Sequence, residues 1–241
     1  MDKRVIPRKN NLSKLENAAD TYLQLKTKDE QILCLFPTNS DANDFNNIIT
    51  ERMNIKTTTI NAVDTERQAR NFLLKEPNYK KNKKAVRTKP KLSVIKTAGL
   101  EQILTIGIGS QIMLRRNLDT EIGLVNGAIG TVMGLVYGKS TPEIVQKIII
   151  KFQQITEFIE IERYSADYEI YARNFISRSQ FPLTSAWGIS IHKSQGLTLK
   201  SVMLDLGENI FEGGMAYVAL SRCRLLDNVH IIEFDPFFIV L

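Results

Sequence analysis

The residue pattern predicts an α/β fold with an antiparallel β insert, and three observations carry that expectation. Helical apolar spacing flanks a short apolar run near the start of the chain. From about residue 104 the pattern changes to β-branched runs separated by Gly, Asn, Asp and Pro. After Leu183 helical spacing and short apolar runs alternate again, so the α/β pattern brackets the insert.

Taken in order, Leu12, Leu15, Ala19, Tyr22 and Leu23 recur at helical spacing, and "QILCLF" at Gln31 to Phe36 reads as a short buried strand. "PTNSDANDFNNIITERM" then turns into a second helix, capped by Asn39 or Ser40, with Phe45, Ile48, Ile49 and the stem of Arg52 on one face. Thr38 and Asn39 thus sit at a strand-to-helix corner, where open α/β sheets bind ligands. Within the insert, "QIMLRRNL", "GAIGTVMGLVY" and "VQKIIIKFQ" read as strands of a small barrel or meander. A helix is expected from about Trp187, ending at Gly196 in a left-handed conformation. The strand "SVMLDLG", the helix "GMAYVALSRC" burying Val218, Leu220 and Cys223, and the strand "NVHIIEF" complete the pattern.

The chain has 241 residues, 43% hydrophobic and 24% charged, which suits one or two buried cores and argues against disorder throughout. Its apolar runs are too short to span a membrane, and the start "MDKRVIPRKN" has no apolar signal core. Cys34 and Cys223 each lie in an apolar segment, as reduced core thiols do, and offer neither a disulfide framework nor a metal cluster. These features point to the nucleus or cytoplasm, no membrane partner, and a monomer.

The net charge of +6 is local in origin. Lys75 to Lys96 holds nine basic residues and one acidic one, a charge of +8, so the remainder sums to −2. Such a run, with Lys80, Lys81, Lys83 and Lys84 at its centre, suits a phosphate backbone; it also suits a solvated loop, which Pro77 and Pro90 favour.

"GLVYGKS" at Gly134 to Ser140 ends like a phosphate-binding loop, but only three residues intervene between its glycines where four are needed, so it reads as a hairpin turn. The acidic pair Asp29 and Glu30 precedes its strand, whereas a magnesium-holding pair follows one. Neither completes an ATPase site. The row His192, Lys193, Ser194, Gln195, closed by Gly196, would bring polar groups to one edge of the sheet; taken alone it reads rather as an exposed helix end. About 25 residues on, "YVALSR" offers Arg222 from a packed helix, a placement suited to a γ-phosphate or to an ion pair with a carboxylate such as Asp227.

Taken together, "SAWGISIHKSQGLTL", "GGMAYVALSRCRLLDNV" and the upstream "GSQIMLRRNLDTEIGLVNGAIGTV" resemble the C-terminal half of the petite-integration-frequency (PIF) family of superfamily-one DNA helicases, which includes the helicase portions of Helitron-type transposons. The resemblance runs from roughly Ile32 to Ile232. It implies a second RecA-like domain, formed by residues 1–117 and 184–241, with a small β-barrel of the Src-homology type inserted at 118–183. Arg222 then matches the arginine finger, and Gln195 and Gly196 the segment facing the nucleotide cleft. His192, Lys193 and Ser194 match the segment near the DNA phosphates, and Thr38 and Asn39 the strand-track motif. The implied activity is ATP-dependent, 5′-to-3′ DNA unwinding, with single-stranded DNA as partner.

The family's first RecA-like domain supplies the phosphate loop and magnesium ligands, and this chain has no counterpart of it. ATP and Mg2+ are therefore expected only together with that missing partner domain. The chain reads as a fragment, a truncated gene product or a transposon-derived remnant. The alternative is a non-catalytic nucleic-acid-binding remnant that kept the basic loop and barrel.

Overall fold

Strand β1 (Leu33–Phe36) is buried on both sides because its residues alternate between two cores. Cys34 and Phe36 join one apolar cluster, while Leu33 and Leu35 join another. The structure, a computed structural model, describes residues 8–68, 99–138, 143–171, 174–207, 209–210 and 212–234. The Lys75 to Lys96 run, with Lys80, Lys81, Lys83 and Lys84, lies outside them.

Helices α1 (Arg8–Lys26) and α2 (Asn39–Arg52) cover the Cys34 face. Tyr22 of α1 meets Phe45 of α2 edge to face at 5.4 Å, and Phe45 packs at 4.9 Å from Phe36. Such aromatic contacts lock the helix pair on the sheet. Ile49 is fully buried and Ile48 partly so, as the helical spacing requires. The cap of α2 is not Asn39 or Ser40 but Thr38, whose hydroxyl accepts from the Asp41 amide and donates to the Asp41 carboxylate. Thr38 alone has the extended backbone that an N-cap needs.

An antiparallel region follows. β2 (Thr57–Asn61) pairs with β4 (Ile103–Gly107), and β3 (Val63–Gln68) continues from β2. β5 (Gln111–Leu114), β6 (Ile129–Tyr137), β7 (Val145–Phe152) and β8 (Phe158–Glu162) run on as a meander. β9 (Tyr164–Tyr171) and β10 (Asn174–Gln180) form a hairpin that adds β3 on its other side. β11 (Leu183–Ser185) returns to pair with β5. This sheet therefore takes β5 from before residue 118, and the β2–β4 ribbon shares its core. Nonlocal pairing of this kind leaves no local signal. Gly134 lies inside β6 at a register shift rather than in the turn, and Gly138 closes the hairpin by donating to the Ile144 carbonyl at 3.1 Å.

After the insert the chain re-enters the first sheet through β12 (Gly188–Ser190), followed by β13 (Val202–Leu206), helix α3 (Met215–Leu220) and β14 (Val229–Phe234). The four strands lie parallel in the order β12-β1-β13-β14. No helix forms from Trp187 to Gly196; instead β12 leads into a single 3-10 turn at Ile191–Ser194. Parallel bonding of Gly188 to Ser190 along β1 wins over the helical spacing of the same residues. Gly196 does take the left-handed conformation, with φ +80°. In α3 the buried residues are Met215, Ala216 and Ala219; Val218, and Cys223 just beyond the helix, pack against the same core partly buried, while Leu220 is exposed.

The two regions share a core. Met113 of β5 and Ile129 of β6 pack with Leu33, Leu35 and Leu204 of the parallel sheet. At Gly127, φ +95° and a contact with Leu197 leave no room for a Cβ, which would stand 2.1 Å from the leucine Cδ2.

Candidate nucleic-acid interface

The edge of the parallel sheet at β12 is sealed by a side chain. Asn46 of α2 accepts from the Gly188 amide at 2.8 Å and donates to the Gly188 carbonyl at 2.9 Å, doing for β12 what another strand would do. This fixes α2 beside the 3-10 turn. Between them and the β4 region lies a polar cleft of about 970 Å³.

Asn39, His192, Lys193 and Gln195, four of the residues singled out from sequence, open onto this cleft together. Asn39 accepts from the Ser190 hydroxyl at 2.9 Å, which ties the β1–α2 corner to the segment after β12. His192 pairs through Nε2 with Glu212 at 3.1 Å, linking the turn to the approach of α3. Thr38 and Ser194 do not line the cleft: the Thr38 hydroxyl is occupied at the helix cap, and buried Ser194 donates to the Ile191 carbonyl at 2.7 Å.

Three charged groups meet at one end. Burial pushes the Lys193 ammonium below the usual lysine range, with the Glu101 carboxylate acting against that shift and Arg115 adding to it. Burial likewise lowers Arg115, again opposed by Glu101. Glu101 accepts from the Thr184 hydroxyl at 2.7 Å, which holds the carboxylate in the cleft. Two half-buried cations facing a cleft with one carboxylate between them make a site that an incoming anion would complete. Arg115 and Glu101 were not recognisable from sequence alone. Arg115 is the first of two arginines in "LRRNL", and only its place at the end of β5 turns it toward the cleft.

Arg222 and Gly196 lie apart from this cleft. Arg222 Nε donates to the Val218 carbonyl at 2.9 Å, and Nη1 to the carbonyls of Ser194 and Leu197 at 3.4 and 3.3 Å. The guanidinium therefore brackets Gln195 and Gly196, while Nη2 donates to the Ser221 hydroxyl at 2.9 Å. Among the described residues no ion pair joins Arg222 to Asp227. Cys34 is fully buried and Cys223 half-buried, both as free thiols. No group of His, Cys, Asp and Glu suited to a metal ion occurs among the described residues, and no helix among them is long and apolar enough to cross a membrane.

Residues 92–135 match the family described as DNA helicase Pif1, 2B domain. Over 139 residues the chain is 41% identical to the ATP-dependent DNA helicase PIF1 of Homo sapiens, covering 57% of this chain and 20% of the human protein. The crystal structure of Pif1 helicase from Candida albicans superposes with a TM-score of 0.66 at 24% identity, covering 96% of this chain and 54% of that one. The Pif1 helicase from Bacteroides in complex with ADP-AlF3 and ssDNA gives a TM-score of 0.58 at 21% identity, over 100% of this chain and 52% of that one. The parallel sheet and its helices thus have the RecA-like α/β fold of these helicases. The chain spans about a fifth of the human relative and about half of the solved structures. With the helicase blocks, the family match and the fold in agreement, the chain resembles a C-terminal portion of the PIF family of DNA helicases.

Proposed function

We propose that this chain is the second RecA-like body of an ATP-dependent, 5′-to-3′ DNA helicase, holding one side of a single-stranded DNA track and supplying Arg222 as an arginine finger. The observation that carries the reading is the polar cleft, where Asn39, His192, Lys193 and Gln195 converge beside Arg115. Such a groove suits a phosphate backbone passing its cationic end. The lysine-rich loop at Lys75 to Lys96 would add further phosphate contacts. The antiparallel region, drawn from sequence at 118–183 and enlarged by β2, β4, β5 and β11, would be the inserted barrel of the Src-homology type.

ATP and Mg2+ would be bound only together with a first RecA-like domain. The residues of this chain fit half of such a site: Arg222 is held against the Gln195–Gly196 segment with Nη2 turned to the Ser221 hydroxyl. When present, the nucleotide and metal would supply the phosphoryl-transfer chemistry, and Arg222 would meet the charge that develops on the transferring group. The chain is taken to act as a monomer in the nucleus or cytoplasm. A second reading, a non-catalytic nucleic-acid-binding remnant of a transposon helicase, draws support from the three carbonyls that hold the Arg222 head on its own chain.

The test is anisotropy of a labelled single strand titrated with the 241-residue chain across salt concentrations. Binding should weaken steeply with salt, and Lys193→Ala or Arg115→Ala should each flatten the log–log slope by about one. Slopes identical to wild type in both variants would overturn the cleft as a phosphate track.

A further inference from the structure

Helix α2 turns a row of asparagines toward the cleft. Asn39, Asn43 and Asn47 stand four residues apart, so they share one helical face, and all three line the cavity. Asn39 is committed to Ser190, but Asn43 and Asn47 are exposed and their amides make no hydrogen bond among the described residues. Their helix is held still by the two bonds from Asn46 to Gly188 and by buried Phe45 and Ile49, so the amides are presented from a rigid wall. The facing wall carries Gln102, Thr105 and Ile103, the last 56% exposed. An apolar side chain across from a row of amides is a geometry that receives flat, edge-polar groups.

We propose that Asn43 and Asn47 form a nucleobase-contacting wall, on which unpaired bases place their edges while their phosphates pass Lys193 and Arg115. This inference rests on the single-strand reading of the cleft given above. A carboxamide offers a donor and an acceptor side by side, which is the complement of a base edge such as the N6/N7 pair of adenine. In a single strand those edges are unpaired and free to turn to the wall, with Ile103 against the base face. A carboxamide can also donate to a phosphate oxygen, but that contact is the same whether or not the strand carries bases, so a preference for base-bearing strands separates the two roles.

The deciding experiment compares the same 241-residue chain on two labelled oligonucleotides of equal length, one of mixed sequence and one made wholly of abasic sugars. Wild type should bind the base-bearing strand about tenfold more tightly. In the Asn43→Ala/Asn47→Ala variant that ratio should fall to about twofold or less, with the salt slope unchanged. Both side chains are exposed, so the variant should keep the wild-type thermal midpoint, measured on the same sample. An unaltered base preference in the variant, alongside a salt slope that still responds to Lys193→Ala, overturns the asparagine wall alone. Failure of wild type to bind either strand overturns the wall and the underlying track together.

Discussion

Asp205 shows how one buried carboxyl couples this fold to pH. It closes β13, is 8% exposed, and its Oδ1 accepts from the Gly207 amide at 3.1 Å. Burial raises its pKa from 3.8 to about 6; the Gly207 hydrogen bond opposes that, the carboxylates of Glu233 and Asp41 add to it, and Lys14 opposes it. The folded state thus holds the proton more tightly than the unfolded state, and stability falls as pH rises from about 4 to about 6. Above that window the ionised carboxyl costs about 3 kcal/mol. Asp205→Asn keeps an oxygen for Gly207 and removes the charge, so it should raise the thermal midpoint at pH 7.5 and lose that advantage near pH 4. A melting-temperature difference that does not vary with pH would exclude Asp205 as the titrating group. Ser194 offers the complementary lesson: a hydroxyl in a row of exposed polar residues is spent on the Ile191 carbonyl inside the turn.

At the scale of elements, α2 carries both the order of the site and its contacts. Its N-cap is Thr38, so this residue positions Asn39 without reaching the cleft. Thr38→Ala should cost about 1 kcal/mol, lowering the thermal midpoint by roughly 2–4 °C for a chain of this size. Single-strand affinity at 20 °C should stay within about twofold of wild type, because an intact cap is not itself a DNA contact. Loss of affinity with an unchanged midpoint would instead assign Thr38 to the track. The expected helix before Gly196 proved to be strand β12 and one 3-10 turn, yet the polar row still reaches the sheet edge, because β12 points it there. Strands β6, β7, β13 and β14 were legible from alternation or from continuous apolar runs between turn residues.

At the scale of the whole molecule, the α/β and antiparallel regions are joined by shared core residues and by the close approach of Leu197 to Gly127. The segment between the cleft and Arg222 is therefore braced from both sides. Arg222 should matter to turnover only in a longer chain that also carries a first RecA-like domain, since a finger acts across the gap between two bodies. There, Arg222→Lys should lower kcat by about a thousandfold with DNA affinity nearly unchanged, because lysine cannot reproduce the guanidinium fork. Wild-type turnover in that variant, measured beside its thermal midpoint, would reduce Arg222 to a brace for the Ser194–Leu197 segment and favour the non-catalytic reading.

By itself the sequence determined the class of fold, the bracketing of a β insert by α/β elements, and the family resemblance, because burial periodicity and the "HKSQG" and "YVALSR" blocks are local properties of the chain. Only the tertiary structure decided which strands share the antiparallel sheet and what lines the cleft. Glu101 and Arg115, and the asparagines of α2, come from segments on either side of the basic loop, and β5 pairs with β11 from a distant part of the chain. A polar residue on an exposed helix face reads the same in sequence whether it meets bulk water or a facing wall. The difference is made by nonlocal strand pairing and by the docking of one region on the other.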